Sequence, residues 1–273
     1  MRENVFLRYV LLLVLGLPIG FLLLYPQLLR CIRIRNSPDF QLLTGSNEVY
    51  INHSTTPAQH QQFRRHVSTA RTRIRRFWGD QRGQATLIYC PKQADYEQYC
   101  AGGEGAGCSI GTPWGTSYLV LGPDGNNADV IAHELCHDEL FARLGWWRVK
   151  RQIPQWFNEG LALMVDYRFS NPAIWEQPDQ LGQQNPIDSY PNHMFFPPHR
   201  MLKLSDLETT RDFFGGDYAH TMVAYQTAAG EVMRWLAVVG RAGVPALTHA
   251  IAAGSAFGDT YRRLEQEKRG PHP

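Results

Sequence analysis

The pentapeptide His133-Glu134-Leu135-Cys136-His137 constrains this chain more than any other stretch. Two histidines four residues apart share a face on a helix, with side chains about 6 Å apart. The flanks agree with a helix over Ala128–Leu144. Asn127 or Asp129 can cap it, and Val130, Ile131, Leu135, Leu140 and Phe141 give it apolar sides. Two imidazoles so placed can each reach one Zn²⁺ at about 2.0–2.1 Å. Glu134 then faces the same point, able to take a proton from a water there. The competing reading is a pair of surface histidines on a core helix.

A catalytic zinc takes three protein ligands and leaves a fourth position open. Glu159 is the natural third ligand, 22 positions after His137 in Pro154-Gln155-Trp156-Phe157-Asn158-Glu159-Gly160-Leu161-Ala162. Pro154 marks the start of the helix that would present it. These residues resemble the gluzincin metallopeptidases, the thermolysin and aminopeptidase superfamily, in which H-E-x-x-H is completed by a Glu on the next helix. The phrase P-x-W-x-x-E-G-x-A resembles the branch of peptidase MA-like domains. The similarity covers about Tyr118–Gly243.

What the resemblance implies is specific. His133, His137 and Glu159 would hold one Zn²⁺ per chain, and Glu134 would be the general base. The fold would be α+β and zincin-like: a small twisted sheet, an active-site helix and a C-terminal helical part. Ser117–Leu121 would be the edge strand that pairs with an extended substrate, with Trp114 and Tyr118 shaping side-chain pockets. A downstream Tyr would stabilise the oxyanion. Tyr225, ahead of Val232-Met233-Arg234, fits that pattern better than Tyr218, and His220 or a water are the remaining alternatives. The chain also departs from the family. It lacks G-x-M-E-N, the grip for a free amine. Its longer gap between His137 and Glu159 falls in Gly145–Ile153. Leu163 stands where thermolysin has an orienting Asp, which leaves Asp138 and Asp166 as candidates to orient the imidazoles.

Val10–Leu29 is a second constraint: twenty residues without a charge. As a helix they span about 30 Å, the thickness of a hydrocarbon core. Leu24–Arg35 offers no small-residue pair for a signal peptidase, so the run reads as an uncleaved, single-pass membrane anchor. Arg2 and Arg8 before it nearly balance Arg30, Arg33 and Arg35 after it, so orientation stays open. The chain then divides into an anchor over residues 1–35 and a domain over 36–273, with a sheet half at about 46–127 and a helical half at about 128–268.

Within that domain, Glu48–Asn52, Ala85–Cys90 and Ser117–Leu121 read as strands, and Lys92–Tyr99 as a short helix. Ala58–Trp78 reads as a long helix, because Phe63, Val67, Ala70, Ile74 and Phe77 form one stripe. Its many arginines suit a solvated face or contact with anionic lipid. Ala101–Gly107 reads as a flexible glycine-rich loop. A formal net charge of +2 gives no basic footprint for nucleic acid. Cys100 and Cys108 can close a short loop, or Cys90 can pair with either; a disulfide here implies an extracytoplasmic, periplasmic or extracellular domain.

The function expected is a membrane-anchored zinc metallopeptidase acting on a peptide or protein substrate. The alternatives are an inactive zincin serving as a tethered binding module, and a zinc hydrolase of a non-peptide amide.

Overall fold

The computed structural model describes residues 25–100, 105–176 and 201–269, together with Gly20. The architecture is α+β, with a small mixed sheet and a larger helical part. In the sheet, β1 (Phe40–Leu42), β2 (Val49–Asn52), β3 (Thr86–Tyr89), β4 (Gly107–Gly111) and β5 (Ser117–Leu121) lie in the order β1-β2-β3-β5-β4. The central β2, β3 and β5 are mutually parallel; β1 and β4 run antiparallel at the two edges.

The alternation of side chains along these strands decides what lies on each face. Val49, Ile51, Leu87, Tyr89, Leu119 and Leu121 point into the main core. There α2 (Pro57–Trp78) delivers the stripe Phe63, Val67, Ala70, Ile74 and Phe77, all buried as the spacing demands. A capping box between Thr56 and Gln59 starts that helix. Tyr50, Ile88, Cys90 and Val120 point the other way, into a smaller cluster. That face is covered by α1 (Pro26–Ile32) through Cys31 and by α3 (Gln93–Tyr99) through Tyr96 and Tyr99. The folded body therefore takes in residues well before position 36. Arg64, Arg71 and Arg73 of α2 are drawn back onto the domain, bonding to the Thr44 carbonyl, Glu48 and Asp129.

One expectation needs correction. Ser117–Leu121 is not the edge strand, because β4 pairs along its whole length. Gly107, expected as the end of the Ala101–Gly107 loop, is the first residue of β4, and it and Gly111 serve a close approach. A Cβ at Gly111 would come within 2.9 Å of the Phe141 ring, and one at Gly107 within 3.1 Å of Glu134 Cγ. Only a strand without side chains there lets the next helix lie against it. Residues 101–104 of the expected loop fall outside the described residues.

That helix is α4 (Ala128–Leu144), capped by the Asn127 side chain on the Asp129 amide. It is wedged between α2, β4 and α6 (Gln155–Leu163), so it is buried on nearly every side. The longer gap after His137 forms a short helix of its own, α5 (Trp146–Gln152). The amides of Gln155 and Trp156, at the exposed start of α6, donate to the Glu208 and Leu207 carbonyls. After α7 (Ala173–Glu176) and α8 (Thr210–Phe214), the long α9 (Tyr218–Val239) packs on α6. Gly160 permits that contact: a Cβ there would meet the Ala228 carbonyl oxygen at 2.5 Å. Helices α10 (Gly243–Ala252) and α11 (Phe257–Arg269) close the core around Trp156, Phe157, Trp235 and Tyr261.

Among the described residues no single helix is long and apolar enough to cross a membrane. The run Val10–Leu29 lies outside them except for Gly20 and its last five residues, of which Pro26–Leu29 begin α1.

Candidate metal centre

Helices α4 and α6 bring His133, His137 and Glu159 together. Their ligand atoms all lie within 4.8 Å of one another, so the three side chains could hold a metal ion. His133 Nε2 is 3.4 Å and His137 Nε2 is 3.7 Å from the same oxygen, Glu159 Oε2. The other Glu159 oxygen accepts a hydrogen bond from Gln155 Nε2 at 2.7 Å, which turns Oε2 toward the histidines. The donor set itself fits a divalent ion: two imidazole nitrogens and one carboxylate oxygen, with room for one more ligand. The three residues of Asn158-Glu159-Gly160 each have a task. Glu159 faces the centre, Gly160 admits α9, and Asn158 holds His137.

That last contact is the orienting one. His137 Nδ1 donates to Asn158 Oδ1 at 3.0 Å, which leaves the Nε2 lone pair free to face the centre. For His133 the neighbour is Asp166, whose Oδ2 is 3.9 Å from Nδ1. Asp166 is fully buried and clamped by Arg168, from Nε at 2.9 Å and Nη2 at 2.6 Å. Asp138, the other candidate, is not near either imidazole's free nitrogen; it accepts from Ser117 Oγ and the Ala85 amide. Asn158 is legible in the sequence only as part of a phrase, since nothing in its residue type announces an imidazole partner.

Burial and charge set the protonation here. Burial pulls the His133 imidazole down, but the hydrogen bond and charge of Glu159, helped by Glu134 and Asp166, carry it up to about 9. Burial holds His137 below its ordinary value. Burial works against the Glu159 carboxylate, yet the two histidines keep it below the usual range. Burial lifts the Glu134 carboxyl to about 7. In the metal-free chain, a proton on His133 thus occupies the place a cation would take.

Beside the centre is a cleft of about 160 Å³, lined by Gly107, His133, Glu134, Asp166, Met222 and Tyr225. Tyr225 reaches it from α9, its ring packed edge-on to Phe213 at 5.2 Å. Burial raises its hydroxyl, so it stays a proton donor. Tyr218, two turns earlier, is 74% exposed and does not line the cleft. His220 is occupied with the Asp212 carbonyl. The expected pocket residues separate as well: Trp114 is exposed, and Tyr118 packs into the cluster behind the sheet. Side chains two apart on β5 share a face, and position 118 falls on the wrong one.

Cys100 and Cys108 form a disulfide that ties the end of α3 to β4. Cys31, Cys90 and Cys136 are free and buried. The chain matches no protein-family model and no curated protein.

Proposed function

We propose that this chain is a membrane-anchored, zinc-dependent metallopeptidase of the gluzincin type, with a zincin-like domain. The observation that carries the reading is the convergence of His133, His137 and Glu159, on two helices, beside a cleft that holds Glu134. A zinc ion bound there would supply Lewis-acid chemistry, polarising a carbonyl and acidifying a water. Glu134 is not one of the three ligands; its carboxylate takes a proton from the attacking water and passes it to the leaving nitrogen. The Tyr225 hydroxyl donates to the oxygen on which negative charge develops. Asn158 and Gln155 hold the ligands in position. The charge-free run that starts at Val10, whose last residues Pro26–Leu29 fold onto the domain as the start of α1, supports the anchor, and the Cys100–Cys108 bridge supports an extracytoplasmic domain.

The decisive variant is Glu134→Gln, measured on the purified full chain with a broad peptide library. Wild type is expected to hold about one zinc per chain and to cleave in a chelator-sensitive way. Glu134→Gln should keep the zinc and lose turnover by about 10²–10⁴-fold. His133→Ala or Glu159→Ala should lose the zinc itself. Full zinc retention in both ligand variants would end the metal assignment. A Glu134→Gln enzyme as active as wild type would end the assigned mechanism. A wild type that cleaves nothing but binds a partner, equally well as Glu134→Gln, would leave the tethered binding module standing.

A further inference from the structure

The segment that joins the apolar N-terminal run to the domain carries a groove far from the metal centre. On α1, Leu28 and Cys31 are buried against the domain, and Ile34 continues that stripe one turn on. The opposite stripe follows the spacing i, i+3, i+4, i+7: Pro26, Leu29, Arg30 and Arg33. With Asn36, Ser37 and Tyr99 these residues line a groove of about 650 Å³, within the size range of ligand sites.

The groove has two chemistries side by side. Arg30 and Arg33 bring positive charge, and no acidic residue lines the groove; the nearest in sequence to these arginines, Asp39, acts on Tyr99 at its wall. Arg30 is held in place, since its Nη1 donates to the Gln98 carbonyl at 2.8 Å. Pro26, Leu29 and the Tyr99 ring supply an apolar wall. Around the groove, Tyr25 and Ile32 are 52% and 38% exposed. A partly exposed aromatic and a partly exposed aliphatic side chain close in sequence to arginines match the composition of a membrane–water boundary. Arg30 also directly follows Leu29, the last residue of the charge-free run.

We propose that this groove binds the headgroup of an anionic phospholipid. The phosphodiester lies between Arg30 and Arg33, with Asn36 and Ser37 as neutral partners and the apolar wall against the glycerol and upper acyl carbons. A lipid with net negative charge is selected over a zwitterionic one, because a choline would bring a cation toward the arginines. Binding there sets the height and tilt at which the domain sits on the bilayer.

The test is lipid retention by the full chain in neutral detergent, read by native mass spectrometry during titration with phosphatidylglycerol or phosphatidylcholine. Wild type is expected to retain phosphatidylglycerol in preference. Arg33→Gln should weaken that about fivefold, and Arg30→Gln/Arg33→Gln about 20–30-fold. Arg35→Gln, an exposed arginine outside the groove lining, is the control and should change it less than twofold. Because Arg30 also ties α1 to the domain, Arg33→Gln alone decides the question if the double variant folds poorly. Equal retention of the two lipids, or equal losses in Arg33→Gln and Arg35→Gln, would overturn the proposal. So would displacement of the lipid by an equal concentration of inorganic phosphate, which would make the groove a site for a soluble anion.

Discussion

Helix α4 buries two kinds of carboxylate, and they differ in where the oxygens point. Asp138 and Glu139, which tie the helix to its neighbours, are almost completely buried. Glu139 Oε1 accepts from the Arg82 and Gly83 amides, both at 2.8 Å, and its Oε2 accepts from Arg143 at 3.1 Å. Asp138 accepts from Ala85 and Ser117. Gly83 is needed at this contact, because a Cβ there would fall 2.2 Å from Asp138 Oδ2. These acids are tied to the loop before β3 and to β5, which fixes α4 against the sheet. Glu134, one turn before Asp138 on the same side of the helix, lines a cleft instead, and His133 and His137 direct their nitrogens at a carboxylate from another helix. Burial alone does not mark a functional acid. The mark is a set of polar atoms turned toward one shared point rather than toward backbone amides.

The largest effect that would sharpen this contrast comes from the anchoring acids. Glu139→Ala leaves two buried amides and Arg143 without their acceptor and should cost about 3–5 kcal/mol of stability. The denaturant midpoint reads this, while zinc per folded chain should not change. A loss below about 1 kcal/mol would mean that the two kinds of acid do not differ as described.

A smaller and opposite effect belongs to the metal centre. Asn158→Ala removes the acceptor for His137 Nδ1 and should weaken metal affinity about 10–100-fold, with stability of the metal-free chain changed by about 1 kcal/mol. Competition with a chelator measures it. An unchanged affinity would show that His137 is held by packing alone.

The smallest effect is graded with pH. In the metal-free chain His133 titrates near 9, above the ordinary 6.5. Its contribution to stability is therefore fully present below pH 6.5 and lost as pH rises through 9. Metal competes with the same proton, so apparent zinc affinity should climb about tenfold per pH unit across that window and level off above it. Zinc titrations from pH 6 to 9.5 check the slope. A flat profile would show that His133 carries no proton in the metal-free chain.

Much of the centre can be read in the chain because local geometry is periodic. A four-residue spacing on a helix places His133 and His137 together wherever that helix lies, and the apolar stripe of α2 needs no knowledge of its partner. The Cys100–Cys108 pair is short-range for the same reason. What cannot be read are choices between elements. Gly107 reads as the end of a loop and β4 is not foreseen, because the purpose of its glycines is the approach of α4 and Phe141, which the local sequence does not contain. Tyr218 and Tyr225 sit two turns apart on one helix, and only the seat of α9 on Gly160 puts Tyr225 in the cleft and leaves Tyr218 in water. In the sequence, Asp138 and Asp166 are equal candidates to orient an imidazole. The packing of α4 assigns Asp138 to the sheet, sets Asp166 beside His133, and leaves His137 to Asn158. Residue type and spacing thus establish which side chains are able to form a centre and on which helices they ride. Which of them meet is settled by packing, because a contact between two elements depends on their relative placement, and no spacing within either one encodes that.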